Sequence, residues 1–166
     1  MPEKKYILNK EEVVQKIHRM SLELAENLSG NEDPVLLLGI RNGGITMAEK
    51  VGALLRQYIA NPIQIASIQL DKDYPTGVVL SEKIAIDGKN IVIIDDVSNS
   101  GRTLVYALKP LLEAHPKTIQ SMVLVERMHQ LFPVKPDYIG LSLATTKENH
   151  IQVEVKDGEI MGAYVI

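Results

Sequence analysis

Three short aliphatic runs constrain this chain more than any other feature: Val35-Leu36-Leu37-Leu38, Ile91-Val92-Ile93-Ile94 and Met122-Val123-Leu124-Val125. Each is bounded too tightly for a helix and lacks the alternation of a half-exposed strand. Each therefore fits a strand buried on both faces, as in a parallel sheet covered by helices. Helical patterns lie between the runs, over Ile45–Tyr58 and Thr103–Ala114. Ahead of them Val13, Ile17, Met20, Leu24 and Leu28 form one stripe at helical spacing, with Asn9 and Glu12 placed for a capping box and Gly30 closing the far end. Pro110, which cannot donate a backbone hydrogen bond, should kink the later helix or end it early. Alternation of strand and helix predicts an α/β domain with a largely parallel central sheet flanked by helices.

Two regions fall outside the alternation. Leu70–Ile86 is polar, carries the turn signal Tyr74-Pro75-Thr76-Gly77, and reads as a hairpin or mobile loop. Beyond residue 140 the chain is polar and strand-like, with Ile151, Val153 and Val155 alternating, which predicts an added layer beside the main sheet. With 166 residues the chain has the length of one domain, enough to bury about 68–70% of its unfolded surface without a metal or disulfide staple. It contains no cysteine, which excludes a disulfide framework, a thiolate zinc site and a cysteine nucleophile. His18, His115, His129 and His150 show no paired ligand spacing. A net charge of −3 argues against a surface that coats nucleic acid or acidic membranes, although a local basic patch is compatible with it. No apolar run approaches the roughly 20 residues of a membrane span, and the polar start Met1–Glu12 has no signal-peptide core. The expectation is a soluble cytoplasmic protein.

Chemistry concentrates in Asp95-Asp96-Val97-Ser98-Asn99-Ser100-Gly101-Arg102-Thr103, directly after the second buried run. In open α/β sheets ligands bind beyond the carboxyl ends of the strands. Gly101 permits close backbone approach, a following helix start offers N–H groups, and Ser100, Thr103 and Arg102 add hydroxyls and charge, so the loop suits a phosphate. Carboxylates only accept hydrogen bonds and would repel a phosphate. They make sense if they receive hydroxyls of the same ligand, and a sugar phosphate meets both demands. Read blandly, Asp-Asp followed by Ser, Asn and Gly is ordinary capping and turn chemistry; the full spacing favours the sugar phosphate. Arg41, Asn42, Gly43 and Gly44, after the first run, read either as an anion-accepting turn with Arg41 as counter-charge or as a plain glycine turn.

The Asp95–Thr103 segment resembles the ribose-phosphate signature of the type I phosphoribosyltransferases, which hold 5-phosphoribosyl 1-diphosphate with such a strand, acid pair and loop. Ser98 and Asn99 stand where larger or different side chains are common, and Ser100 stands for Thr. Nearly the whole chain is similar to the pyrimidine-operon attenuator group, whose members also have uracil phosphoribosyltransferase activity. The first helix, Ile68–Asp73, Val123–His129, Asp137–Gly140 and Thr145–Lys147 carry that similarity. Lys72 stands at a usual arginine, and Met128 and Gln130 replace Gly and Arg. The Leu70–Ile86 loop is shorter than in the group.

The resemblance implies one domain over 1–166, with a core of about 10–140, a hood built from the N- and C-terminal segments, and a flexible loop. It implies transfer of ribose 5-phosphate to a nucleobase, uracil by preference, with release of diphosphate, and Mg²⁺ carried by the substrate rather than by protein ligands. Asp95, Asp96 and Lys72 would be catalytic, Asp95–Thr103 would hold the ribose phosphate, and Arg41–Gly44 the diphosphate, through a cis peptide expected at Arg41–Asn42. The base falls to Arg127, His129, Ile139 and Lys147. Arg127 and His129 could equally bind diphosphate or order their loop, and Lys147 could equally be a solvated lysine. Leu70–Ile86 would close as a lid, its bland alternative being a surface hairpin. A homodimer or tetramer is implied. A second class of function, a nucleotide-sensing RNA-binding attenuator with little catalysis, is less favoured because the balance is acidic and Gln130 replaces a basic residue. A signalling receiver ranks last, since it leaves Gly101-Arg102-Thr103 unexplained.

Overall fold

A computed structural model describes residues 2–71, 77–81 and 83–166. Six strands form the main sheet in the order β4-β3-β2-β5-β6-β7. They are β2 (Val35–Ile40), β3 (Ile63–Gln69), β4 (Val79–Leu80), β5 (Asn90–Ser98), β6 (Thr118–Arg127) and β7 (Tyr138–Leu143). All neighbours pair in parallel except β3 and β4. The three aliphatic runs are the centres of β2, β5 and β6, and Leu36, Leu37, Leu38, Ile94 and Leu124 are completely buried. Successive residues go to opposite faces: Leu37, Val92 and Ile94 join one core, while Leu36, Leu38, Ile91 and Ile93 join the other. That division is why the runs do not alternate in polarity.

Helix α1 (Lys10–Asn27) begins with the expected reciprocal cap, in which Asn9 Oδ1 accepts the Glu12 N–H at 2.8 Å and Glu12 Oε2 accepts the Asn9 N–H at 2.8 Å. Its predicted stripe is buried throughout, worth about 1.5–3 kcal/mol per large side chain. Helix α2 (Arg41–Tyr58) starts four residues earlier than its apolar pattern indicated. The glycines that read as a turn lie in its first turn. Gly44 is there because a Cβ would overlap the Ile94 carbonyl of β5, and a Cβ on Gly39 would come within 2.5 Å of Ile45 Cα. Helix α3 (Arg102–Ala107) has six residues, fewer than the pattern over Thr103–Ala114. Leu108 and Lys109 already donate to Val105 and Tyr106 in tight three-residue turns, and Pro110 has no N–H to return the chain to α geometry.

The tail pairs with the chain's start rather than with the main sheet. Strands β1 (Lys5–Asn9), β9 (Glu159–Val165) and β8 (Ile151–Lys156) form an antiparallel sheet in the order β1-β9-β8. Strand β9 packs on α1, where Ile160 and Ala163 join the core, and Lys50 Nζ of α2 reaches Glu159 Oε1 at 2.6 Å. Among the described residues no helix is long and apolar enough to cross a membrane.

Candidate active site

Strand β5 does not stop at the acid pair but continues to Ser98, with Asp95 opposite Val123 and Ser98 opposite Glu126 on β6. The sheet therefore grips the chain on both sides of Asp96 through its backbone. Asp95 is 1% exposed, and its Oδ1 accepts the Asp96 N–H at 2.9 Å; Asp96 is half-buried, and its Oδ1 accepts the Val97 N–H at 2.8 Å. The acids are thus unequal in exposure, Asp95 nearly closed off and Asp96 more open.

After Ser98 the chain turns through Gly101, whose φ of 84° is left-handed and would strain any other residue. The Arg102 N–H donates to Ser100 Oγ at 3.3 Å. Asp95–Leu104 line one side of a cavity of about 440 Å³, and Ile151, Gln152 and Val153 of β8 line the other. The cavity brings together all nine residues Asp95, Asp96, Val97, Ser98, Asn99, Ser100, Gly101, Arg102 and Thr103 that the sequence placed around a sugar phosphate.

The far wall is a strand edge. His150 and Ile166 exchange both backbone hydrogen bonds at 2.9 Å, so along the β8–β9 ladder the N–H and C=O groups of Gln152 turn toward β9. Those of Ile151 and Val153 turn away from it. No strand covers that edge among the described residues. Sequence alternation disclosed the strand but not its position over the β5 loop, which depends on contacts more than 50 residues apart.

None of Arg41–Gly44 lines the cavity; Gly43 backs its wall, where a Cβ would overlap the Asp96 carboxylate. Arg41 and Asn42 line a separate open depression with Gln69, Leu70, Asp71, Gly77 and Val79. Arg41 Nε donates to the Leu70 carbonyl at 2.7 Å, and its guanidinium lies 4.0 Å from Asp71. Among the described residues no peptide bond is cis; Arg41, at φ 52°, makes the turn from strand to helix instead.

The residues expected at the base lie elsewhere. Buried Arg127 donates from Nε to Thr145 Oγ1 at 2.6 Å and from Nη2 to the Thr146 carbonyl at 2.5 Å, and His129 Nε2 lies 2.8 Å from the Thr145 carbonyl. Both order the connection that leads into β8, one of the two roles open to them in the sequence. Ile139 stands on edge strand β7, level with Asp95 across β6, and its carbonyl accepts from Arg19 at 2.8 Å. Lys147 is exposed. None of these four lines the cavity. Lys72 and the turn Tyr74–Thr76 lie outside the described residues; of the predicted lid, β4 adds a short antiparallel edge to β3.

Strand, acid pair, turn and overlying strand edge all lie inside one stretch with a known sequence pattern. Residues 4–157 match the sequence pattern of the phosphoribosyl transferase domain, and the chain belongs to that family. It is similar to two proteins named bifunctional protein PyrR. That of Clostridium novyi (strain NT) is 30% identical over 164 residues, covering 93% of this chain and 92% of the relative. That of Roseiflexus sp. (strain RS-1) is 31% identical, covering 98% and 94%. Among solved structures, the fold is shared with the hypoxanthine phosphoribosyltransferase of Trypanosoma cruzi, with a TM-score of 0.80 at 17% identity over 97% of this chain and 95% of that one. It is shared also with a hypoxanthine-guanine phosphoribosyltransferase from Bacillus anthracis, with a TM-score of 0.71 at 21% identity over 86% and 84%.

Proposed function

We propose that this chain transfers ribose 5-phosphate from 5-phosphoribosyl 1-diphosphate to a nucleobase, uracil by preference, and releases diphosphate. The observation that carries the reading is the Asp95–Thr103 cavity wall, which sets two carboxylates beside a turn rich in hydroxyls and backbone N–H groups. Half-buried Asp96 is placed to accept ribose hydroxyls, with Asp95 fixing the backbone beneath it. Ser100, Gly101 and Thr103 would receive the 5-phosphate. The bond from C1 to the diphosphate oxygen breaks with its electron pair leaving on oxygen; a ring nitrogen of the base bonds to C1 and gives up its proton to water. Positive charge grows on the sugar as this happens, and nearby carboxylates stabilise it more in the transition state than in the ground state.

The open edge of β8 supports binding of a base. A single residue with both N–H and C=O facing outward, as at Ile151 or Val153, matches a ring edge that carries an N–H beside a C=O. Uracil and hypoxanthine have such an edge; cytosine and adenine set an unprotonated nitrogen beside an amino group, which is also one acceptor beside one donor, so this strand edge suits a nucleobase without choosing among them. Among the described residues no three His, Asp or Glu side chains converge as metal ligands. The oxygen donors Asp95 and Asp96 fit an Mg²⁺ coordinated mainly by diphosphate and water. Bound Mg²⁺ would supply neutralisation of the leaving group's charge. We place the reaction in the cytoplasm, in a homodimer or tetramer.

The test is diphosphate release from 5-phosphoribosyl 1-diphosphate and Mg²⁺ with each of several free bases, with the nucleotide identified by mass. Release with uracil is expected. Binding of the activated sugar without release for any base would favour the second reading, a nucleotide-sensing RNA-binding attenuator, to which the relatives' designation as bifunctional lends support.

A further inference from the structure

The turn that carries Ser100 and Gly101 is held from outside as well as by its own hydrogen bond. Its carbonyl at Ser100 accepts two backbone N–H groups from the β6–β7 connection, Leu131 at 2.9 Å and Phe132 at 3.0 Å. One residue on, a Cβ at Gly101 would stand 2.8 Å from the Val134 carbonyl and 3.7 Å from Phe132 Cβ, so the connection also packs flush against the turn. The Arg102 guanidinium lies 5.5 Å from the centre of the Phe132 ring, within range of a cation–π attraction. Gln130 Nε2 closes the connection on itself by donating to the Phe132 carbonyl at 2.8 Å.

We propose that Phe132 is a positioning residue for sugar-phosphate binding: its N–H pins the Ser100 carbonyl, and its ring holds the Arg102 guanidinium at the rim of the cavity. The proposal rests on the reading of Asp95–Thr103 as a sugar-phosphate site. Held against the ring, the exposed guanidinium keeps its charge beside the turn. An exposed cation–π contact is worth about 0.5–1 kcal/mol, or about two- to fivefold in affinity.

Calorimetric titration with ribose 5-phosphate, alongside KM for 5-phosphoribosyl 1-diphosphate and KM for the base, tests this in Phe132→Leu and Phe132→Tyr. Phe132→Tyr should bind as the parent does. Phe132→Leu, which keeps apolar bulk without the ring, should weaken ribose 5-phosphate about two- to fivefold and raise KM for the activated sugar alike, with kcat and the base KM unchanged. In an Arg102→Gln background, Phe132→Leu should have no further effect. Parental binding by Phe132→Leu, or equal losses from it with and without Arg102, would overturn the proposal. Failure of the parent protein to bind ribose 5-phosphate at all would instead overturn the reading of the site.

Discussion

Gly43 lies directly against the carboxylate of Asp96, so close that a Cβ on the glycine would overlap it. This single contact joins the two loop segments on which the proposed chemistry depends, one opening α2 and the other ending β5. Gly43→Ala should therefore displace the Asp96 side chain, which can swing, without much loss of stability. We expect the Kd for 5-phosphoribosyl 1-diphosphate to rise by at least about tenfold, or ~1.4 kcal/mol, with Tm nearly unchanged. Gly44→Ala makes the contrasting case, because its Cβ would meet the Ile94 backbone carbonyl, which cannot move alone. A loss of about 1–3 kcal/mol in stability is expected there, read by urea denaturation.

Replacing both acids should separate binding from folding. Asp95→Asn with Asp96→Asn keeps shape and hydrogen-bonding oxygens but removes the charge that accepts sugar hydroxyls. Hydrogen bonds to charged groups are worth about 1.5–3 kcal/mol each, so calorimetry should find binding of the activated sugar weakened by at least about 100-fold. Unchanged affinity would remove this loop from the site.

The Asp95–Thr103 part of the cavity wall could be read in the sequence because it is local: strand, acids and turn follow one another without interruption. The opposite wall could not. Ile151 and Val153 advertise a strand by alternation, yet only the pairing of β9 with β1 and its packing on α1 carry that strand over the β5 loop. For Arg127 and His129 the choice between ligand contact and loop ordering stayed open because their partners, Thr145 and Thr146, lie 16 to 19 residues further on, beyond the reach of any spacing rule. The Gly43-Gly44 pair misled in another way. A turn and a close helix–strand crossing both require glycine, and the sequence does not distinguish them. In α3, by contrast, Pro110 announced the early end correctly, since a missing N–H acts the same way in any context.

Acid should loosen the strap between α2 and the three-stranded sheet. The Lys50 ammonium, through its hydrogen bond and its charge, holds the Glu159 carboxyl below its ordinary value of 4.5. A carboxyl depressed on folding contributes stability above that ordinary value, and the contribution is lost as pH falls through it toward the folded value. Glu159→Gln should flatten this part of the Tm profile below about pH 4.5 while leaving Tm at neutral pH little changed, because the pair is exposed to solvent.

Tyr138 should govern the alkaline side. Its hydroxyl accepts from Asn27 Nδ2 at 2.7 Å and donates to Gln120 Oε1 at 2.9 Å, tying α1 to β6 and β7. Burial raises its ionisation above 10.0, so the proton is held more tightly folded than unfolded, and stability falls as pH rises beyond that value. Tyr138→Phe should cost about 1–2 kcal/mol at pH 7 and remove this contribution to the alkaline decline, as measured by denaturant titration at pH 7 and above pH 10.

The open edge of β8 has a consequence for how this cavity can change over time. Peptide groups are the same for nearly every side chain, so the donor and acceptor pattern along Ile151 and Val153 survives almost any substitution there. A side-chain reader can be rewritten by one codon; a backbone reader can lose a donor only to proline, and to shift its pattern the whole strand must slide. Drift at these positions would alter the width and greasiness of the cleft long before it altered the hydrogen bonds offered within it.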